Sequence, residues 1–310
     1  MTISGQSGMH LVVSGAGGLI GSELLPRLAR AGHRVTKLTR GPAGPGTITW
    51  DPVNGLLETG QLAGVDGVIH LAGENVGARW TPARKARIRA SRVQGTRLLS
   101  QALAALGTPP RVFISASAVG IYGDRGSELL TETSPPGNPE RNFLTAVCLQ
   151  WEAAAEPARA AGIRVVHPRL GVVLSPHGGA LGKLLLPSRL GLGGVLGDGT
   201  QWMSWISIAD AVSAIQHALT EARLEGPVNL TSPEPVTNRD FTRTLGRVLG
   251  RPTPFPVPAG ALRLILGEMA QSTLLASARV HPERLLQEGY GFQHPSLDGA
   301  LRHVLGKPPQ

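Results

Sequence analysis

A ten-residue segment near the amino terminus constrains the fold more than any other feature of the chain. Residues 12–21 read VVSGAGGLIG, an apolar run that leads into glycines and then directly into a segment with helical periodicity. Gly15 permits a tight turn, Gly18 leaves room for a pyrophosphate, and Gly21 allows the helix to pack closely. Free N–H groups at the helix N-terminus then face the phosphates. The segment predicts a dinucleotide-binding loop, with a plain tight βα turn as the alternative interpretation.

The first half of the chain continues the alternation of strands and helices that begins with this loop. Predicted strands occupy residues 10–14, 35–38, 67–71, 111–115 and 164–168. Predicted helices occupy residues 19–31, 81–106 and 143–161. The strand segments lack an alternating polar face, as is typical of parallel strands that are covered on both sides. The pattern predicts an α/β fold built on a Rossmann-type doubly wound parallel sheet.

The composition and pattern of the sequence change in the second half of the chain. Residues 251–258 read RPTPFPVP and must be extended, because Pro is excluded from helix interiors. We predict a dinucleotide-binding core over residues 9–173, to which residues 205–231 contribute. A smaller, partly interleaved C-terminal region that binds substrate is predicted over residues 174–204 and 232–306.

The end of the second predicted strand bears on the choice between NAD and NADP. Residues 35–40 read VTKLTR and contain no acidic residue, which would bind a ribose 2′-hydroxyl. Arg40 is always charged and can hold a 2′-phosphate with two donors. The sequence therefore favours NADP(H) as the cofactor. An ordinary solvated loop arginine is the alternative for Arg40.

Composition and charge argue against several other classes of protein. The net charge is +9, but the basic residues are scattered, and no aromatic residues interleave with the densest basic run at residues 84–89, which disfavours a nucleic-acid partner. A single Cys excludes internal disulfides, and no His spacing predicts a metal site. No apolar run approaches the length of a membrane helix, and residues 1–10 lack a signal-peptide pattern. We expect a cytoplasmic protein with no membrane partner, and the oligomeric state stays open.

Further motifs follow in an order that resembles a known family. They read LAGEN at 71–75, SAVGIYG at 117–123, WEAA at 151–154, GVVL at 171–174 and RLGLGG at 189–194. Together with the glycine loop they resemble the epimerase family of atypical extended short-chain dehydrogenases/reductases, the NAD-dependent epimerase/dehydratase-like proteins. The resemblance covers nearly the whole chain, from about residue 9 to residue 305. It implies an extended Rossmann fold with a small C-terminal substrate domain.

The resemblance also implies where the cofactor is bound. The positions that match the family are Gly15, Gly18, Leu19, Ile20 and Gly21 at the pyrophosphate, Thr39 and Arg40 at the 2′-phosphate, Asp51 near adenine, Leu71, Ala72 and Gly73 along the adenosine ribose, and Pro168 near the nicotinamide. Arg92 stands where relatives have an Asn that faces the cofactor, and its charge would suit a phosphate-bearing ligand.

The catalytic residues of the wider superfamily are only partly present. Its members use a Ser, a Tyr and a Lys, with Tyr-x-x-x-Lys on one helix, where the Lys lowers the pKa of the Tyr. Ser117 matches the Ser, but Leu144 and Cys148 occupy the Tyr and Lys places. Tyr122 is the candidate that replaces the missing Tyr as proton donor, and a structural aromatic in a tight turn is the alternative. For Cys148 the expectation is a buried small hydrophobic residue.

Substrate contacts are predicted near the carboxyl ends of the strands, where ligands bind in such folds. The candidates are Glu74, Asn75 and Trp205. We predict an NADP(H)-dependent oxidoreductase or epimerase that acts on a small carbonyl or sugar-like molecule. The alternative is a non-catalytic NADP(H)-binding regulator, which the missing Tyr–Lys pair favours and which in some relatives is linked to cell division.

Overall fold

The strands of the protein form mainly where the sequence is rich in buried Val, Ile and Leu. The computed structural model describes residues 8–42 and 44–308. Its strands are β1 (His10–Ser14), β2 (Arg34–Thr39), β3 (Thr47–Asp51), β4 (Leu56–Leu57), β5 (Gly67–His70), β6 (Val112–Ser115), β7 (Ser117–Ala118), β8 (Leu129–Leu130), β9 (Arg164–Leu170), β10 (Val172–Leu174), β11 (Trp202–Met203), β12 (Trp205–Ser207), β13 (Gly226–Leu230), β14 (Val236–Thr237) and β15 (Arg279–Val280).

Helices alternate with these strands through the first 230 residues and dominate the remainder. They are α1 (Leu19–Arg30), α2 (Pro82–Ala104), α3 (Phe143–Ala153), α4 (Glu156–Ala160), α5 (Gly179–Arg189), α6 (Ile208–Thr220), α7 (Asn238–Leu249), α8 (Ala259–Leu266), α9 (Glu283–Gln287) and α10 (Leu297–Val304). Several begin at a side-chain cap: the Thr81 hydroxyl accepts the N–H of Arg84, and Asn142 accepts the N–H groups of Leu144 and Thr145.

The central sheet has the strand order β13-β9-β6-β5-β1-β2-β3-β4. Its neighbours are parallel except for β4, which runs antiparallel to β3. The order in which the chain adds strands to the sheet reverses at β1, since β2 lies on one side of β1 and β5 lies on the other. Ligands of open α/β sheets bind in the crevice at such a reversal, beyond the carboxyl ends of the strands. The predicted α/β fold with a Rossmann-type parallel sheet is confirmed.

Apolar side chains fill both faces of the sheet. One core packs α1 and α6 against one face, with Leu11, Val13 and Ile69 at its centre, and a second packs α2 and α4 against the other, around Val12 and Phe113. A third core lies among α5, α7 and α10. Because both faces are covered, most residues of the central strands are apolar, which explains the sequence pattern.

The structure departs from the sequence-based prediction at the segment 143–161. One helix was predicted there, whereas α3 ends at Ala153 and α4 begins at Glu156. Pro157 lies in the first turn of α4, where its missing N–H costs nothing; inside a longer helix its ring would clash with the carbonyl of residue 153. Residues 251–258 lie outside any helix, in agreement with the exclusion of Pro from helix interiors, and Val257 is bridged to Leu196.

Candidate functional site

The glycine loop joins β1 to α1 and packs against the end of β5. Gly15 has φ +69°, and a Cβ there would lie 2.7 Å from the carbonyl carbon of Leu71. A Cβ on Gly21 would lie 2.3 Å from the Gly15 oxygen, so Gly21 lets α1 approach the loop. Gly17 has no heavy atom within 4 Å of its Cβ position, and Gly18 has only the Gly15 oxygen, at 3.1 Å. Packing therefore requires glycine at positions 15 and 21, while Gly17 faces open space and Gly18 is in tight contact with the loop's own oxygen.

A cavity of about 690 Å³ lies beside this loop, over the carboxyl ends of β1, β2 and β5. The residues predicted for the cofactor or substrate that line it are Gly15, Gly18, Thr39, Arg40, Leu71, Ala72, Gly73, Glu74 and Asn75. Sequence reasoning missed Lys37 on β2, Trp50 on β3, and Arg87, Ser91 and Gln94 on α2. Arg87, Ser91 and Gln94 are spaced four and then three residues apart. This spacing places them on one face of a helix and is the signal that could have found them.

The charged side chains that line the cavity are mainly positive. Lys37, Arg40 and Arg87 contribute cations, and Glu74 contributes a carboxylate. The Glu74 carboxylate lies 3.7 Å from Arg84 and 3.9 Å from Arg87, so it is partly neutralised by α2. A cavity with a glycine loop, the N-terminus of a helix and an excess of cations suits a ligand that carries several phosphates.

The Asp51 carboxylate is hydrogen-bonded within the turn that follows β3. Its carboxylate accepts the N–H of Val53 at 3.0 Å and the side-chain amide of Asn54 at 2.6 Å. These hydrogen bonds, led by the one from the Asn54 side chain, hold the pKa of Asp51 below its usual value. Its neighbours Trp50, Pro52 and Val53 line the cavity, whereas Asp51 itself does not. The structure therefore gives Asp51 the role of shaping the turn beside the cavity.

Arg92 lies beneath the loop that follows β5. Its guanidinium donates to the carbonyl oxygen of Glu74 at 3.0 Å and lies over the Trp151 ring, 5.0 Å from the centroid. A Cβ on Gly73 would lie 3.1 Å from the Arg92 guanidinium carbon. Arg92 thus supports the loop that lines the cavity, and it is not itself a lining residue. This position differs from the prediction that Arg92 faces the ligand.

The other predicted cofactor residues, Leu19, Ile20 and Pro168, do not line the cavity. Leu19 and Ile20 begin α1; Ile20 packs on the first core, and Leu19 lies near Gly178 and Gly179, whose Cβ positions are 3.4 and 3.2 Å from its methyl carbons. Pro168 is buried within β9, opposite Val228 of β13. The start of α5 therefore lies against Leu19 in the first turn of α1.

A buried polar cluster joins β7, α3 and β9 at the same edge of the sheet. The Ser117 hydroxyl donates to Glu152 Oε1 at 2.7 Å. Arg169 binds the same carboxylate with two hydrogen bonds, Nε to Oε1 at 2.8 Å and Nη2 to Oε2 at 2.9 Å. Ser117 and Arg169 are paired in the register of β7 and β9. Sequence reasoning identified Ser117 but gave Glu152 no chemical role, although Glu152 lies in the WEAA motif.

Tyr122 belongs to this cluster as an enclosed member. The side chain is fully buried, and its hydroxyl lies 2.8 Å from Asn229 Oδ1 and 3.0 Å from the Thr131 carbonyl oxygen. The hydroxyl also accepts an N–H of Arg169 at 2.9 Å. Burial raises the pKa of Tyr122, and Arg169 only partly opposes this. The geometry favours the structural alternative for Tyr122 over the predicted proton donor.

Trp205 lies in the third core and not at a ligand surface. Its side chain is fully buried, and the indole N–H donates to the carbonyl oxygen of Glu234 at 3.0 Å. The structure thus places Trp205 away from the substrate position predicted for it, because its apolar area is used in packing. Cys148 is buried as expected, and burial, reinforced by the negative charge of Glu152, raises the pKa of its thiol to about 12.

Four polar side chains form a row across the sheet beneath the site. Ser14, His70 and Ser115 stand opposite one another in β1, β5 and β6, and His167 occupies the next position in β9. All four are buried, and His70 Nδ1 lies 2.6 Å from Ser14 Oγ. Burial lowers the pKa of His70 to about 4. Sequence reasoning read these residues only as parts of apolar strands.

The fold and the site together define a Rossmann-type nucleotide-binding protein of the short-chain dehydrogenase/reductase class. Residues 11–230 match the NAD dependent epimerase/dehydratase family, and residues 257–304 match a domain of unknown function, DUF1731. The chain belongs to the NAD dependent epimerase/dehydratase family. The family resemblance predicted from the motifs is therefore confirmed.

Relatives match the chain over almost its entire length. An epimerase family protein of Mycobacterium bovis is 41% identical over 300 residues, which cover 96% of this chain and 98% of the relative. The crystal structure of human epimerase family protein SDR39U1 (isoform 2) with NADPH superposes with a TM-score of 0.87 at 35% identity, covering 96% of this chain and 99% of that one. A nucleoside-diphosphate sugar epimerase from Corynebacterium glutamicum matches with a TM-score of 0.80 at 38% identity, over 97% of this chain and 59% of the other.

Within the described ranges, no helix has both the length and the apolar character that crossing a membrane would require.

Proposed function

We propose that the protein binds NADP(H) in the cavity beside the glycine loop and transfers hydride between this cofactor and a small carbonyl or sugar-like substrate. The observation that carries the proposal is the cavity itself, which the glycine loop lines together with the three cations Lys37, Arg40 and Arg87. The human relative that was crystallised with NADPH supports the choice of cofactor.

Each end of the cofactor has residues that suit it. The N–H groups of the loop and of the first turn of α1 suit the pyrophosphate, because they have no helical partners and lie at the positive end of the helix dipole. Arg40 is exposed at the end of β2, with Lys37 and Thr39 beside it in the cavity, and this trio suits a ribose 2′-phosphate. When bound, the nicotinamide supplies or accepts the hydride.

The substrate side of the site is assigned to the residues after β5. Glu74 and Asn75 line the far end of the cavity, and the loop they begin is bound by Lys183 of α5, whose ammonium donates to the carbonyl oxygen of Gly77. A polar loop under a cationic helix suits a hydroxylated or anionic molecule. The Corynebacterium relative, a nucleoside-diphosphate sugar epimerase by name, supports a sugar-like substrate.

The cofactor assignment is tested by titrating NADPH and NADH into the protein and following cofactor fluorescence. We expect Arg40→Ala to weaken NADPH binding about tenfold or more, since a charge-assisted contact contributes roughly 1.5–3 kcal/mol, and to leave NADH binding nearly unchanged. Arg141→Ala removes the same charge from an exposed position that does not line the cavity, and serves as the control. Equal losses of NADPH and NADH affinity in Arg40→Ala would contradict the assignment.

Gly18→Val tests the position of the pyrophosphate. Gly18 has φ −79°, which any residue can adopt, and its Cβ position meets one atom, the Gly15 oxygen at 3.1 Å, so a side chain fits once the loop shifts by a few tenths of an ångström. The added methyl groups would occupy the space assigned to the pyrophosphate, and NADPH binding should be abolished in a protein that unfolds normally. Intact NADPH binding by Gly18→Val would show that the cofactor lies elsewhere.

A second function, NADP(H) binding without catalysis, is favoured by one observation. Leu144 and Cys148 replace the Tyr–Lys pair, and the hydroxyl of Tyr122 is buried and fully hydrogen-bonded. A protein that binds NADPH tightly, and that turns over no aldehyde, ketone or quinone, would fit this second function.

A further inference from the structure

The helix that carries Tyr and Lys in the wider superfamily holds a carboxylate one turn further along. α3 has Leu144 and Cys148 at those two places, and Glu152 follows four residues after Cys148. Four residues are about one helical turn, so Glu152 and Cys148 lie on the same side of α3. Ser117, the matching Ser of that superfamily, donates its hydroxyl to Glu152 at 2.7 Å.

Arg169 holds this carboxylate in one orientation. Its two parallel hydrogen bonds, at 2.8 and 2.9 Å, bind both oxygens of Glu152. Burial alone would raise the pKa of Glu152, but the hydrogen bonds and charge of Arg169 outweigh burial and hold this pKa below its usual value. Glu152 is therefore an anion at neutral pH and can accept a proton.

The remaining titratable groups near Glu152 do not compete with it for that role. His167 of β9 has its pKa lowered by burial, and Cys148 has its pKa raised to about 12. Arg92 of α2 donates to the Glu74 carbonyl oxygen, and the Tyr122 hydroxyl is hydrogen-bonded to Arg169. Glu152 is thus the anionic member of the group.

The different exposure of Ser117 and Glu152 sets the direction in which a proton can move through the cluster. Ser117 is 1% exposed, whereas the side chain of Glu152 is 15% exposed. A proton that reaches Ser117 can therefore move outward to Glu152 and from there to solvent. The Ser117 hydroxyl can pass on its own proton while accepting another, because its oxygen keeps free lone pairs.

We propose that Glu152 is the proton acceptor of this site, that it works through the Ser117 hydroxyl, and that Arg169 is its positioning residue. The proposal rests on the proposed hydride-transfer function. In the oxidative direction a substrate C–H hydrogen leaves with both electrons to NADP⁺, and the substrate O–H proton passes to Ser117 as the Ser117 proton passes to Glu152. The products are a carbonyl compound, NADPH and a protonated Glu152, so atoms and electrons balance.

The reverse reaction needs Glu152 in its protonated form. Because Arg169 keeps Glu152 ionised at neutral pH, few molecules then carry the proton that a substrate carbonyl must receive. We therefore expect reduction to become faster as the pH falls towards the pKa of Glu152, and oxidation to slow over the same range. In an epimerisation the proton returns from Glu152 to the substrate, and no net oxidation occurs.

The ionisation of Glu152 can be measured without turnover. Infrared pH titration of protein labelled with ¹³C-glutamate reports the C=O band of each protonated carboxyl. We expect one buried carboxyl that protonates below the usual range, that is absent from Glu152→Gln, and whose pKa rises in Ser117→Ala because one donor is lost. A Glu152 that titrates at its usual pKa, or that does not respond to Ser117→Ala, overturns the proposal.

Turnover supplies the second measurement. NADPH oxidation is followed with benzaldehyde, cyclohexanone and 9,10-phenanthrenequinone as substrates. Glu152→Gln keeps the shape of the side chain and should keep NADPH affinity while losing at least about 100-fold in kcat, the usual contribution of acid–base catalysis. Glu156→Gln changes an exposed Glu that binds Arg159 on the next helix, and should match the wild type.

The outcomes separate this proposal from the one it rests on. Should Glu152→Gln fail to fold, Ser117→Ala leaves the Glu152–Arg169 pair intact and should still lower kcat and shift its pH profile upward. Wild-type kcat in either variant, or a wild type that binds NADPH and reduces none of the three substrates, overturns the relay while cofactor binding stands. If the wild type itself does not bind NADPH, the proposed function is overturned instead.

Discussion

His70 is held neutral by the residues around it. Its side chain is fully buried, Ser14 Oγ lies 2.6 Å from Nδ1, and Trp50 meets the ring edge-on at 5.7 Å between centroids. Burial, followed by the charge of Arg92, lowers the pKa of His70 to about 4 from 6.5. At a pH between about 4 and 6.5, residue 70 therefore binds a proton in the unfolded chain but not in the folded protein.

Stability should therefore fall as the pH drops below about 6.5, because protons favour the unfolded state in this range. By about pH 5 the His70 contribution should be a loss of about 2 kcal/mol in the free energy of unfolding, relative to neutral pH. Urea unfolding of wild type and His70→Gln at both pH values measures it as a difference. Ser14→Ala should be less stable at both values but keep the wild-type pH dependence, since His70 stays buried. An equal pH dependence in wild type and His70→Gln would contradict this account.

At the scale of elements, local sequence patterns predict those features that depend on residues close together in the chain. Apolar runs located the central strands, and the glycine loop located the cavity, because both depend on neighbours along the chain. The link between Glu152 of α3 and Arg169 of β9 depends on how two elements are placed, and no local pattern contains it. Two-residue strands such as β8 and β15 form only against each other, with Leu130 beside Val280, and were not predicted for the same reason.

The loop between β1 and α1 gives an element-level prediction. Gly21→Ala should lower the free energy of unfolding by about 1–3 kcal/mol, the usual cost of overpacking, because its Cβ would lie 2.3 Å from the backbone oxygen of Gly15. Gly17→Ala is the matched control and should change stability little, since no atom lies within 4 Å of its Cβ position. Thermal unfolding of both variants measures the difference. Equal melting temperatures would show that α1 does not need close contact with the loop.

At the scale of the whole molecule, the sheet and the C-terminal helices share their polar contacts. The Asp210 carboxylate of α6 accepts the N–H groups of Gln293 and His294. The side-chain amide of Asn229 in β13 donates to the carbonyl oxygen of His281 at 3.0 Å. Arg284 of α9 donates to the carbonyl oxygen of Pro227 at 2.9 Å. Neither part can lose its fold without leaving buried polar groups of the other part unpaired.

We therefore expect a single unfolding transition for the whole chain. Denaturant curves from far-UV circular dichroism and from Trp fluorescence should coincide, although the two signals report different parts of the protein. A chain truncated after residue 231 should fail to reach a cooperatively folded state, because Asp210 and Asn229 lose partners. Two separate transitions, or a truncated chain that unfolds cooperatively, would contradict this expectation.

The position of β13 has a consequence for the order in which the protein is made. β13 pairs with the outer edge of β9, yet α5 and α6 lie between the two strands in the chain. While the ribosome synthesises that intervening segment, the outer edge of β9 is unpaired and could bind a strand of another nascent chain. Pro168 does not change this edge, because backbone N–H groups alternate in direction along β9: that of Arg164, in the same alternation as Pro168, donates to Arg111 on the β6 side, whereas that of Gly171 donates to Leu230 of β13. The outer edge of β9 therefore keeps its free N–H groups until β13, the last strand of the central sheet in chain order, has been synthesised.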